Sequence, residues 1–327
     1  MFREITADAE LEAMERHCLE HRGHYGLRMG YVLHNARRGR VPTARFYADL
    51  GDVTAGRFAA AAHGAGTTEP GSSPTSAASP KSGGESAACT MIIMVHPTAD
   101  EDTIALDATT PEAARVLIHE HLTNFTLLGI AHPSNPQRPR RSITFSGFDD
   151  AHFTENIRQV FPQESGFVLK YHPCKMYSAT NPALFAPELY LPKLQAGWTL
   201  GPLRAEDAPM VNQLWPYSSP GTLGFIADLI TTYPSMCLFV DGTPACWCLT
   251  QNYGAMGMLH TKDEFKRQGL GKIVMMALSQ HLHSKNHVPF LYVVHPNTAS
   301  HGLFKSLNFP QEDRDQSWLL VHPPKDQ

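Results

Sequence analysis

Apolar and polar positions follow two regimes along this chain, separated by a stretch with neither. The pattern predicts a helix at 7–21, a strand at 31–34, an exposed basic turn at 37–40 and a strand at 43–49. From about 59 to 88 the composition collapses to Ala, Gly, Ser, Thr and Pro. Such a segment cannot bury enough apolar surface to offset its ordering entropy, so it predicts a disordered insertion. A strand-like run at 91–96 resumes directly afterwards, which puts the insertion inside a hairpin rather than between domains. Helical patterns follow at 111–122 and 149–160, then a strand at 167–172. Arg138, Arg140 and Arg141 read as a solvated loop, and the Pro-rich stretch 181–192 reads as a linker.

The second half is more regular. A strand at 199–204 precedes helices at 208–215 and 222–232, and a hairpin (236–240 with 245–250) turns about Asp241-Gly242-Thr243-Pro244. A strand at 254–261 runs into a Gly-rich turn and a helix at 272–283, with Ile273, Met276, Ala277 and Leu282 as its apolar stripe. A strand at 290–294, a helix at 299–307 and a strand at 317–321 complete the order β-α-α-β-β-β-α-β-α-β.

Composition narrows the class without naming it. A chain of 327 residues with 42% hydrophobic and 18% charged residues suits two soluble domains. The net charge of −4 provides no general attraction to nucleic acid or anionic membrane. No apolar run reaches the roughly 18 residues of a spanning helix. The first twenty residues lack an apolar signal region and carry acids, so secretion is not expected; mitochondrial matrix and cytosol both fit. Six cysteines are too sparse for a disulfide scaffold, and Cys246 and Cys248 read as core thiols on one strand face. His17-Cys18-Leu19-Glu20-His21 matches a zinc-peptidase pattern but has no recognisable third ligand. His119 and His121 fall on different helix faces, so no metal is expected.

The candidate chemistry lies in Glu264-Phe265-Lys266-Arg267-Gln268-Gly269-Leu270-Gly271-Lys272. Two glycines and several cations stand where a strand passes into a helix. Glycines let backbone approach a phosphate, and a helix start offers unpaired N–H groups and the positive end of its dipole. The stretch lacks the spacing of a P-loop and the third glycine of a dinucleotide fingerprint.

The element order and this turn resemble the GNAT acyltransferase superfamily. Its Arg/Gln-x-x-Gly-x-Gly/Ala signature appears as Lys266-Arg267-Gln268-Gly269-Leu270-Gly271, with Lys in the first place. An Asn followed by a helix ending in Gly-Phe-like residues appears as Asn297 to Phe309. Within that superfamily the chain resembles the glycine N-acyltransferase family. The resemblance is carried by Ile226-Ala227-Asp228-Leu229-Ile230, Tyr233-Pro234-Ser235, Gly242 to Trp247, Asp263 to Gly269, Asn297 to Ser300 and, in the first half, Val32-Leu33-His34-Asn35.

That resemblance implies an α+β fold of two GNAT-like domains, each a mixed, mostly antiparallel sheet flanked by helices. The expected boundaries are 1–187, containing the insertion at 59–88, and 197–327, which keeps the acyl-CoA turn. It implies transfer of an acyl group from acyl-CoA, as co-substrate, to the amino group of glycine or a related free amino acid. A GNAT enzyme acting on protein amines and a non-catalytic acyl-CoA-binding protein are the alternatives. Glu264 takes the place of the general base, with His260 as a second candidate. Leu259 and Thr261 border the strand edge expected to hold the oxyanion. Lys266, Arg267, Gln268, Gly269, Leu270, Gly271 and Lys272 would hold the pyrophosphate, and Asn297 the pantetheine arm or its helix cap. Phe304 occupies the place of a Tyr that donates a proton to sulfur in many relatives, which leaves an unassisted thiolate, water or His301 for that step. No nucleic-acid partner is expected, and a monomer is.

Overall fold

The computed structural model describes residues 2–20, 26–39, 45–49, 90–97, 101–108, 111–122, 142–161, 166–219 and 221–322. Its N-terminal half contains β1 (Phe2–Ile5), α1 (Asp8–Glu20), α2 (Gly26–Ala36), β2 (Arg45–Asp49), β3 (Thr90–Pro97) and β4 (Glu101–Ala108). Then come α3 (Pro111–Val116), continued by a π-helical turn, β5 (Ser142–Asp149), α4 (Asp150–Val160) and β6 (Val168–Ser178). The C-terminal half contains β7 (Trp198–Gly201), α5 (Ala208–Leu214), α6 (Thr222–Thr232), β8 (Ser235–Val240), β9 (Thr243–Thr250) and β10 (Met256–Thr261). It finishes with α7 (Leu270–Ser284), β11 (Phe290–Val294), α8 (Thr298–Ser306) and β12 (Gln311–His322).

The two halves repeat one plan. In each, four strands pair antiparallel in sequence and the fifth joins the fourth in parallel, β4 with β5 and β10 with β11. Their sixth strands are exchanged. β6 lies against β11 of the other half, β12 lies against β5, and β6 and β12 pair with each other. The result is a single twelve-stranded mixed sheet ordered β1-β2-β3-β4-β5-β12-β6-β11-β10-β9-β8-β7. The fold is thus α+β with two GNAT-like halves, as expected, but the sequence gives no sign of the exchange. Only the partner of a strand has changed, and its alternation of side chains has not.

The cores follow the exchange. Leu319 and Val321 of β12 join Phe145, Phe148, Phe153 and Ile157 of the first half, while Tyr177 of β6 and Ala179 just after it join the core of the second. A third cluster joins Met14, Met29, Val32 and Leu33 to Val211, Ile226, Leu229 and Trp247, so α1 and α2 pack on α5, α6 and β9.

Several local expectations need correction. Residues 31–34 are helical, not a strand. Tyr-Val-Leu-His is a run of good strand formers, yet Arg28, Met29, Tyr31, Val32, Leu33 and Asn35 are all buried, so α2 is enclosed on nearly every side at the seam. That burial overrides local preference. The basic turn beyond it is not simply exposed: Arg37 reaches back to Asp8 at 2.9 Å and Glu15 at 2.7 Å on α1. The Pro-rich stretch forms three 3-10 turns, with Phe185 and Tyr190 buried in the C-terminal core. β4 and β5 were not foreseen, because acids open β4 and Ser, Thr and Gly interrupt β5, whose burial is nearly continuous rather than alternating. The 59–88 insertion and Arg138, Arg140 and Arg141 lie outside the described residues.

The seam is tight enough to test. Gly254 has φ +90°, and a Cβ there would meet Tyr31 Cγ at 2.5 Å and Cδ2 at 2.8 Å. Gly254→Ala should lower stability by roughly 2 kcal/mol or more, combining left-handed backbone strain with overpacking. Urea unfolding measures it; a change near zero would mean that Tyr31 does not sit against this turn.

Candidate active site

β10 and β11 are joined by one registered pair, Met256 with Leu291, and diverge beyond it. On its other edge β10 carries a bulge: Gly257 faces Leu249, then His260 faces Trp247, three steps on β10 against two on β9. Met258 inside the bulge has φ +53°, an unusual value for a side chain with a Cβ. The extra residue bends the strand away from its parallel neighbour. A cleft of about 290 Å³ opens between the diverging strands. Val211, Leu214, Trp215 and Tyr217 wall it on the α5 side, and Met275, Asn297, Ser300 and Phe304 on the α7 and α8 side. Gly257, Met258, Leu259 and His260 form its edge.

At the rim β10 ends and the Gly-rich turn begins. Glu264 belongs to a short 3-10 turn, Asp263–Phe265, and is exposed. Its carbonyl accepts from Gln268 Nε2 at 3.3 Å, which ties the turn together. Lys266 pairs with Asp263, and Arg267 is exposed with φ +66°. Gly269 caps α7 with φ +83° and no side-chain bond to the helix. A Cβ at Gly269 would meet nothing within 4 Å, so backbone conformation rather than space requires glycine here. In the first turn of α7 the Lys272 N–H donates to the Gly269 carbonyl at 3.0 Å, while the N–H groups of Leu270 and Gly271 have no acceptor within the helix. Leu270 is 1% exposed and packs its side chain into the core, which leaves its backbone to face the turn. Gly271 lies close to Thr261 and Leu303, and Lys272 is exposed beside it. The donors, glycines and cations therefore fit an anionic phosphate group.

Of the residues singled out in the sequence, Leu259, His260, Asn297 and Phe304 line the cleft, and the 266–272 turn forms its neighbouring rim. Thr261 does not line it; its hydroxyl donates to Cys246 Sγ at 3.1 Å. Asn297 is the N-cap of α8, its Oδ1 accepting from Ser300 N at 3.1 Å, while it also borders the cleft. Phe304 is buried, with its ring 5.5 Å from that of Tyr177. His301 is turned to a different groove, sharing a 2.7 Å hydrogen bond with the Tyr177 hydroxyl. The hydroxyl that α8 does offer the cleft is Ser300, one turn before Phe304. Sequence reasoning missed Ser300, the Trp215–Tyr217 loop, Tyr292 and the Met258 bulge. Two aromatics around Pro216 were a usable signal for the loop, whereas a methionine with positive φ leaves none.

Electrostatics separate the possible reactive groups. Cys248 borders the cleft, but burial pushes its thiol upward, as it does Cys246 to about 11. Both remain protonated thiols and poor nucleophiles. His260 is half-buried and stacks on Trp247, with centroids 5.0 Å apart and planes 27° apart. Burial pushes its imidazole below the ordinary 6.5; Lys266 and Lys262 act in the same direction and Asp263 against them. It is therefore neutral at pH 7. Among the described residues no three metal-ligating side chains gather, and no helix is long and apolar enough to cross a membrane.

Residues 241–319 match the family described as FR47-like protein. Glycine N-acyltransferase of Rattus norvegicus is 27% identical over 130 residues, 39% of this chain and 44% of that protein. Glycine N-acyltransferase of Homo sapiens is 30% identical over 107 residues, 32% of this chain and 36% of that protein. The matches thus span less than half the length of these relatives. A Drosophila protein of known structure superposes over 99% of both chains, with a TM-score of 0.68 and 15% identity, which speaks to the fold alone. In its fold the chain is GNAT-like, and in sequence it is similar to the glycine N-acyltransferases over part of its length.

Proposed function

We propose that the protein is an acyl-CoA:amino acid N-acyltransferase, moving an acyl group from coenzyme A to glycine or a related free amino acid by direct attack. One observation carries the reading: the cleft between diverging β10 and β11 opens beside the glycine-capped start of α7, a helix start of the kind that suits phosphate. The pyrophosphate would rest on the 267–272 backbone, with Lys266, Arg267 and Lys272 adding charge at the rim. The pantetheine arm would pass Asn297 and enter the split, with the thioester at the β10 edge near Leu259. There the unpaired strand edge supplies N–H donors for the oxyanion. Catalysis belongs to 197–327 in this reading, which supplies the cleft lining, and α2 of 1–187 supports it by packing on α5, α6 and β9. Protonated cysteines speak for direct attack over an acyl-enzyme. Family resemblance gives the general base to Glu264, which would act from the exposed rim.

The test is thiol release from a panel of acyl-CoAs offered with free amino acids and, separately, with a peptide amine. Release that requires both an acyl-CoA and a free amino acid is the expected result. Release only with the peptide would transfer the activity to protein amines. Acyl-CoA binding without release from any pair would leave a binding protein.

A further inference from the structure

His260 follows the bulge on β10 and borders the cleft, whereas Glu264 lies four residues on, exposed and outside its lining. The partner that His260 stacks on, Trp247, belongs to the core shared with α5, α6 and α2. That is the side of the sheet opposite α7, whose core contains Leu270, Ile273 and Phe304. If coenzyme A lies against the α7 turn, the acceptor enters from the α5 side, and His260 faces it.

We propose that His260 is the catalytic base that takes the first proton from the acceptor's ammonium, a role that rests on the N-acyltransfer reading above. The ammonium loses two protons on becoming an amide. One N–H bond breaks and the proton goes to the imidazole of His260 and then to solvent. The neutral amine adds to the thioester carbon, the C–S bond breaks, and the adduct's second proton goes to the departing sulfur. Water or the Ser300 hydroxyl can carry that second proton, since Phe304 cannot. The charged and titratable groups around His260 are Lys262, Asp263 and Lys266 from the following turn, with Tyr217 and Tyr292 in the same cleft. β9 presents the Trp247 ring beneath the imidazole and the buried Cys248 thiol at the cleft. The burial that keeps the imidazole neutral at pH 7 leaves it ready to accept.

The experiment compares wild type, His260→Gln, His260→Phe and Glu264→Gln with the acyl-CoA and amino acid that give thiol release. His260→Gln should lower kcat/KM by about 100-fold or more, in the range for removing a general base. Acyl-CoA affinity should not change, and His260→Phe, which keeps the stacking, should lose as much. The wild-type acid limb, with a midpoint below 6.5, should disappear in both. Hydroxylamine, already neutral at pH 7, should restore transfer in His260→Gln, which a merely structural histidine would not allow. A larger loss in Glu264→Gln than in His260→Gln, or an acid limb that survives His260→Gln, overturns the proposal while leaving N-acyltransfer intact. Absence of thiol release from wild type with every pair overturns both.

Discussion

Valine at position 269 is expected to weaken acyl-CoA binding by about 30- to 100-fold, with only a modest loss of thermal stability. Gly269 holds φ +83° at the N-cap of α7. A β-branched residue in that region carries strain of about 2–3 kcal/mol. The protein can relieve it most cheaply by reorganising an exposed turn, because nothing packs within 4 Å of where a Cβ would stand. That reorganisation would turn the first N–H groups of α7 away from a pyrophosphate, and backbone donors cannot be replaced by another side chain. Gly271→Ala is the informative companion. Its Cβ would meet Leu303 Cδ2 at 3.9 Å and Thr261 Oγ1 at 4.0 Å, ordinary contacts that the fold accepts. Calorimetric titration with an acyl-CoA reads both variants. Unchanged affinity in Gly269→Val would mean that the phosphates are held elsewhere.

This turn was legible in the sequence because glycine, cation and helix start are local signals. The same holds for the Asp241-Gly242 hairpin, whose two positive φ values fit a two-residue turn of the I′ kind. What sequence did not reveal depends on contacts between distant residues. Val168 to Ser178 reads as a strand, yet nothing in it says that its neighbours will be β11 and β12. Tyr31 and Val32 look like strand residues until the second half of the chain covers them. At the site, Glu264 drew notice through its motif, but whether it lines the cleft depends on the bulge at Met258 and the divergence of β11. His260 looked like an ordinary strand histidine for the same reason. Its significance comes from Trp247 beneath it and the cleft it borders.

Arg28→Ala is expected to cost about 3 kcal/mol and to impair transfer as well, although Arg28 does not border the cleft. Arg28 on α2 is 2% exposed, and its guanidinium donates to the Ser146 carbonyl and hydroxyl on β5. Its Cζ lies 4.5 Å from the centre of the Tyr253 ring and 5.8 Å from that of Trp318. Gly147 has φ +58°, and a Cβ there would come within 3.0 Å of Arg28 Cζ, so the chain has left room for this cation. Truncation removes charge-assisted hydrogen bonds, two cation–π contacts and a buried stem at once. Trp318 and Tyr292 meet edge to face at 4.7 Å, and Tyr292 is a wall of the cleft. Tyr253 also lies 6.4 Å from Tyr292, so loosening the Arg28 cluster reaches the site through both rings. Arg28→Met, which keeps the stem, should lose less stability than Arg28→Ala. Because the exchanged strands fuse the halves, unfolding should remain a single transition that shifts as a whole. Urea unfolding of the three proteins, followed by tryptophan fluorescence and far-UV dichroism, reads this. A separate early transition in Arg28→Ala, with the C-terminal strands still folded, would mean that the shared sheet does not bind the halves into one cooperative unit.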